Sequence, residues 1–280
     1  MRKLHSFLVL LLAFHFSGFS QEKVLYKQVD TTKLYMEVYY PGPSEDTKKY
    51  PAMVFFFGGG WIGGSVEQFE PHARYFSKRG MVCFLVDYRV LSRHKATPFE
   101  SLKDAKSAIR VIRQRADQFR IDSSRIIAAG GSAGGHLAAA CAIIQDYDAP
   151  TDDPGISPAP NALVLFNPVI DNGPGGYGYD RIKTAYKSFS PLHNIMSGAP
   201  PTIFFLGTKD HLVPVETAQY YKKVMEKVGS RCELYLYEDQ GHGFFNRDRN
   251  FEHYRKTVMA SDTFLQSLGY LDQEPKVEIE

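Results

Sequence analysis

The chain has 280 residues, 44% of them apolar and 23% charged. That balance suits a globular protein with one sizeable core and excludes a disordered or membrane-embedded chain. Its 33 lysines and arginines face 31 aspartates and glutamates; Arg2 and Lys3 make up the excess, so beyond residue 20 nothing favours nucleic acid or an anionic membrane as partner.

Residues 1–20 read as a secretory leader. Arg2 and Lys3 form a positive n-region, and residues 7–16 an apolar stretch too short for a comfortable transmembrane helix. Gly18 and Ser20 are the small residues before a cut at Gln21. The expectation is a secreted or periplasmic protein without stable membrane insertion, whose residues 21–280 form one domain. Cys83 and Cys141 lie in apolar runs and read as buried hydrophobes. One disulfide among Cys83, Cys141 and Cys232 stays open in an oxidising compartment, while the lack of any Cys-x-x-Cys pair disfavours zinc or redox chemistry. The 17 tyrosines and 20 phenylalanines either fill the core or line a surface for sugars and phenolic rings.

Residues 24–29 and 33–40 are β-rich, the second alternating with Leu34, Met36 and Val38 on one face, and predict an antiparallel hairpin. A polar loop follows. Residues 52–57 are continuously apolar, as in a strand buried on both faces of a parallel sheet, and end at Gly58-Gly59-Gly60-Trp61. Strands are then predicted at 81–86, 125–129, 162–166, 201–206 and 231–237, with a turn at Asp122-Ser123-Ser124. Helices are predicted at 99–119, 133–145, 215–228 and 251–268. Strands alternating with helices make an α/β fold: a mostly parallel central sheet, an N-terminal antiparallel hairpin, and helices on both faces. Residues 171–198, rich in Gly, Tyr and Ser, break the alternation and read as a lid or as a plain surface insertion. The charged tail 272–280 is expected to fray.

Gly130-Gly131-Ser132-Ala133-Gly134 fits G-x-S-x-G between a predicted strand and a predicted helix. A tight strand-to-helix turn needs small neighbours and lifts a serine hydroxyl clear of the sheet. The helix N-terminus behind it offers unpaired N–H groups to an oxyanion. No Gly-Lys-Ser/Thr follows, which excludes a phosphate-binding P-loop. Ser132 is therefore the candidate nucleophile. It needs a base, and the base an orienting acid, each placed after a later strand. Asp210 follows the strand at 201–206, and His242 follows the strand at 231–237. Strand ends of a parallel sheet converge on one edge, so the three should meet there. Glu238 and Asp239 are competing acids, His136 and His211 competing bases. Gly59 and Gly60, with the N–H of Ala133, are candidates for an oxyanion hole; Gly63-Gly64-Ser65 would support that turn. Trp61 is placed either to stack on a substrate ring or to pack locally.

These motifs, with Asp87-Tyr88-Arg89 and Gly241-His242-Gly243-Phe244, resemble the α/β-hydrolase superfamily, specifically its acetyl-esterase and hormone-sensitive-lipase-like branch. The resemblance covers nearly all of the chain beyond residue 20. It implies an α/β-hydrolase fold and a serine esterase that needs no cofactor or metal, with Ser132, Asp210 and His242 as triad. Phe57 stands where the branch usually has a His that braces the oxyanion loop. The branch's long N-terminal helical cap is missing, which resembles secreted carbohydrate esterases acting on acetyl or feruloyl groups. Short acyl esters, among them acylated polysaccharides or oligosaccharides, are the expected substrates. A feruloyl esterase, a general short-chain carboxylesterase and a non-catalytic binding module are the alternatives.

Overall fold

Eight strands carry the apolar runs: β1 (Gln21–Val29), β2 (Thr32–Tyr39), β3 (Tyr50–Phe56), β4 (Val82–Val86), β5 (Ile121–Gly131), β6 (Ala162–Phe166), β7 (Thr202–Gly207) and β8 (Cys232–Tyr237). The computed structural model describes residues 21–42 and 48–280; the expected leader lies outside them. The strands form one sheet of order β1-β2-β4-β3-β5-β6-β7-β8. β1, β2 and β4 pair antiparallel, and every other neighbour pairs parallel. The helices are α1 (Glu70–Lys78), α2 (Leu91–His94), α3 (Pro98–Gln114), α4 (Ala133–Ile143), α5 (Tyr179–Ile182), α6 (Tyr186–Phe189), α7 (Val215–Lys227) and α8 (Phe251–Ser267).

β3, β4, β6 and β7 are buried along their whole length, because helices cover both faces. Alternate residues of each strand serve opposite layers. Val54, Phe56, Phe204 and Leu206 pack with α3, α4 and α7. Met53, Phe55, Ile203 and Phe205 pack with α1 and α8. Pro98 starts α3 behind a reciprocal Thr97–Glu100 capping box, which satisfies two otherwise orphaned backbone donors.

Three details depart from the sequence-based expectation, and a fourth settles an alternative it left open. α1 was not anticipated, because its buried face mixes Ala73 and Phe76 with His72 and Tyr75 and so blurs the apolar spacing. The Asp122–Ser124 turn sits inside β5 as a bulge: Tyr50 pairs with Ile121, and the next paired residue, Ala52, pairs with Ile126. The tail is held rather than frayed. Arg79 binds the Asp262 carboxylate at 2.5 and 3.1 Å, and its remaining donors reach the carbonyls of Asp272 and Pro275. Val277 and Ile279 pack on the core. Finally, the three cysteines are free and buried. Cys83 and Cys232 lie on β4 and β8, which four strands separate in the sheet, and Cys141 lies on α4.

Residues 171–198 are more than a surface insertion. Their buried Ile182 and Phe189 join the core. Ser190 Oγ accepts the Asn172 N–H at 3.1 Å and donates to the Ile170 carbonyl at 2.9 Å. The segment is thereby tied to the end of β6, over the edge where the candidate residues gather. No helix among the described residues is long and apolar enough to cross a membrane.

Candidate active site

Ser132 links β5 to α4 with φ 53° and ψ −117°, a backbone state that costs a non-glycine residue about 1–3 kcal/mol. The surroundings hold it there. Its N–H donates to the Phe166 carbonyl at 2.9 Å, and its carbonyl accepts from His136 and Val169 at 3.0 and 3.2 Å. The turn is closed by backbone contact: a Cβ on Gly134 would lie 2.0 Å from the Phe56 carbonyl oxygen.

Strand ends bring the three expected residues together. Ser132 Oγ lies 2.9 Å from His242 Nε2, and His242 Nδ1 lies 2.7 Å from Asp210 Oδ2. The Asp210 carboxylate is buried, and its other oxygen accepts the N–H groups of Leu212 and Val213 at 2.8 and 3.0 Å. A carboxylate only accepts, so Nδ1 carries the proton and Nε2 is left to accept from the serine hydroxyl. The competing residues stand elsewhere. Asp239 pairs with Lys209 on the surface, and His211 is exposed, with its ring 6.5 Å from that of His242. His136 is buried, its Nε2 3.0 Å from the Phe189 carbonyl, and burial pushes it down to about 3. Asp87 binds Arg93 and Arg89 binds Asp104, both structural links.

The glycine run lies beside the serine; a Cβ on Gly58 would sit 3.4 Å from Ser132 Cβ. Gly59 and Gly60 have φ 123° and 64°, conformations open to glycine. The Gly59 carbonyl is turned back to accept the N–H groups of Ile62 and Gly63 at 3.0 and 3.2 Å. Gly60 N–H shares that peptide plane and points the opposite way. Among the described residues no protein acceptor takes the N–H of Gly59, Gly60 or Ala133. Phe57 stacks on Tyr88 at 4.1 Å, and the Tyr88 hydroxyl donates to the Phe57 carbonyl at 2.6 Å. Gln68 then supplies a polar brace, accepting the Gly58 N–H at 2.6 Å and donating to Asn246 at 2.9 Å. Asn246 donates in turn to the Gly243 carbonyl at 2.7 Å, so the glycine loop and the His242 loop are linked.

Trp61 corrects one expectation. It is fully buried, perpendicular to the His136 ring at 5.1 Å and packed near Tyr177 and Phe189. With Arg181 also lying 5.4 Å from its ring centre, it has no face free for a substrate ring, and its large apolar surface serves as the floor of the loop.

Asn167, directly after β6, went unnoticed in the sequence. It is buried, its Nδ2 lies 3.3 Å from His242 Nε2, and its Oδ1 accepts the Gly243 N–H at 3.0 Å. The available signal was a polar residue ending an apolar strand at the edge where sites form. No group of three or more His, Cys, Asp or Glu among the described residues is placed to hold a metal ion.

Strand order, nucleophile turn and converging loops are those of an α/β-hydrolase. The chain matches the BD-FAE family over residues 36–171 and the dienelactone hydrolase family over residues 175–271. It is similar to Thermogutta terrifontis esterase 2. The apo form of that protein is 44% identical with a TM-score of 0.86, covering 91% of this chain and 97% of that one; the propionate-bound form is 43% identical with a TM-score of 0.87 and the same coverage. Esterase LipC of Mycobacterium tuberculosis is 28% identical over 71% of this chain and 54% of its own length. An acetylxylan esterase of Xylanibacter ruminicola is 26% identical over 87% and 50%. The chain thus spans about half the length of these two curated relatives. It belongs to the esterases of the α/β-hydrolase superfamily.

Proposed function

We propose that the protein is a serine carboxylic-ester hydrolase that removes acetyl and other short acyl groups from carbohydrate or small-molecule esters. The observation that carries this reading is the unbroken chain from Ser132 Oγ through His242 to Asp210, set beside N–H groups with no protein acceptor among the described residues. His242 Nε2 takes the Ser132 proton as Oγ attacks the ester carbonyl, and Asp210 stabilises the imidazolium. The N–H groups of Gly59, Gly60 and Ala133 hold the oxyanion. The tetrahedral adduct collapses as His242 returns the proton to the leaving alcohol, giving an acyl-enzyme. Water then gives a proton to His242 as its oxygen attacks the acyl carbon. The second tetrahedral adduct collapses with cleavage of the bond to Ser132 Oγ, His242 returns the proton to that oxygen, and the acid leaves.

The acyl preference has its own support. Val169, whose N–H meets the Ser132 carbonyl, lines a cleft of about 250 Å³ with Ile170, Tyr177, Leu212, Val213 and Pro214. The proposed place of the short acyl chain is this cleft beside the nucleophile turn, whose lining also includes Asp171 and Thr217. The similar solved esterase has been captured with propionate and with butyrate, and one relative is named for acetylxylan.

Acetate and ferulate release from acetylated xylan and feruloylated arabinoxylan tests the substrate, with Ser132→Ala as control. Acetate release by the wild type, lost by orders of magnitude in the variant, is expected. Ferulate as the main product would overturn the acyl assignment, and an active Ser132→Ala the nucleophile. We also propose export through cleavage after Ser20. N-terminal sequencing of mature protein should begin at Gln21; a start at Met1 would refute this.

A further inference from the structure

Gly59, Gly60 and Trp61 form three consecutive residues with positive φ, at 123°, 64° and 57°. Backbone of this kind flips readily unless each peptide plane is held. The Gly59–Gly60 plane is held from within the loop by Ile62 and Gly63, and the Trp61 carbonyl by the Leu91 N–H at 3.0 Å. The intervening plane, Gly60–Trp61, is held from outside. Arg181 Nη1 donates to the Gly60 carbonyl at 2.6 Å.

Arg181 belongs to the segment 171–198. Its guanidinium lies 5.4 Å from the Trp61 ring centre and 5.6 Å from that of Tyr177. Its nearest carboxylate, the exposed Asp180, stands 3.9 Å away, so the Gly60 carbonyl is its main hydrogen-bond partner. The same segment adds two contacts of shape. The Tyr177 hydroxyl fills the place a side chain at Gly60 would take, 2.3 Å from an ideal Cβ. A Cβ on Gly178 would meet the Trp61 ring at 3.1 Å. Asn172 secures the turn by donating to the Tyr177 carbonyl at 2.9 Å.

We propose that Arg181 is a positioning residue of the oxyanion hole: by fixing the Gly60–Trp61 peptide it anchors the far side of the Gly60 Cα, and so steadies the adjoining Gly59–Gly60 peptide, whose Gly60 N–H faces the developing oxyanion, with Tyr177 as the wall between that loop and the cleft. This rests on the esterase reading above. The segment 171–198 is then part of the catalytic scaffold and not a lid that opens and closes. A donor that drifts in the transition state lowers kcat, while ground-state binding in the cleft is left alone.

The test uses the full chain. A fluorophosphonate probe first establishes that wild-type Ser132 reacts; an unlabelled wild type overturns the esterase reading and this proposal with it, whereas a failure of the proposal alone leaves the wild type labelled. With that reaction in hand, Arg181→Ala should lower kcat on p-nitrophenyl acetate by about 10²-fold, with KM changed less than twofold. Added ethylguanidinium should restore a measurable part of kcat. Arg181→Lys keeps the cation and should fold even where the alanine variant does not, with kcat between the two. Wild-type kcat in either variant would overturn the proposal. A loss that appears in KM, follows a fall in Tm and resists guanidinium would reduce Arg181 to a packing residue and overturn it equally.

Discussion

Asn167 holds His242 from the side opposite Asp210: its Nδ2 lies 3.3 Å from the Nε2 that also faces Ser132, and its Oδ1 takes the N–H of the next residue, Gly243. One buried amide thus fixes both the imidazole and the backbone that carries it. Asn167→Ala should lower kcat by about 10²-fold, the cost of a small misplacement of a reacting group. It should also remove about 1–3 kcal/mol of stability, because the Gly243 N–H is left unpaired. Steady-state kinetics and urea unfolding measure the two effects. An unchanged kcat would show that Asp210 alone orients the imidazole.

Asp210→Asn separates charge from geometry. The Leu212 and Val213 N–H groups, now 2.8 and 3.0 Å from Asp210 Oδ1, can hold the amide oxygen in the same place. The amide nitrogen then faces His242 Nδ1 and drives the proton onto Nε2, where it blocks acceptance from Ser132. The expected fall in kcat is about 10⁴-fold with little change in stability. A variant within tenfold of wild type would mean that another carboxylate serves the histidine.

Much of this site was legible in the sequence, for a physical reason. Ser132, Asp210 and His242 each follow an apolar strand, and a parallel sheet gathers such positions at one edge. The strand bounds were legible because β3, β4, β6 and β7 are apolar without alternation. Other features depend on contacts that no local pattern encodes. Trp61 reads equally well as an exposed platform or a buried floor, and only the approach of His136 and Arg181 decides it. Asn167 looks like an ordinary residue before a proline until Gly243 is brought beside it. Arg181 and Gly60 are 121 residues apart, and α1 hides a buried histidine among its apolar residues.

Gly134 should tolerate no side chain. An added Cβ would lie 2.0 Å from the Phe56 carbonyl oxygen and 2.4 Å from that of Phe57, so the strand and the nucleophile turn would have to part. Overpacking of this kind costs about 1–3 kcal/mol, and more where backbone must move. Gly134→Ala should lower the urea midpoint and lose activity with it, since Ser132 and the oxyanion loop shift together. A stable, fully active variant would contradict the close packing of α4 on β3.

His72 and His136 each make stability depend on pH. Both are fully buried, and burial pushes each from 6.5 to about 3. Neither nitrogen of His72 has a hydrogen-bond partner; the ring sits among Phe69, Phe166 and Tyr254 at 5.0, 5.3 and 4.8 Å. The unfolded chain protonates these rings below pH 6.5, and the folded chain resists until about 3. The unfolded state therefore binds more protons across that window, and stability, complete above pH 6.5, falls as the pH drops toward 3. The slope is about 1.4 kcal/mol per pH unit for each ring. Urea unfolding at pH 7.5, 5.5 and 4.5 measures it. His72→Phe keeps an aromatic ring in the cage and removes one titrating group. Its loss of stability between pH 6.5 and 4.5 should be smaller than that of the wild type by roughly 2–3 kcal/mol, with activity at pH 7.5 retained. Because carboxylates titrate alike in both proteins, the difference between the two curves isolates His72. Parallel curves would show that the ring is already open to protons in the folded state.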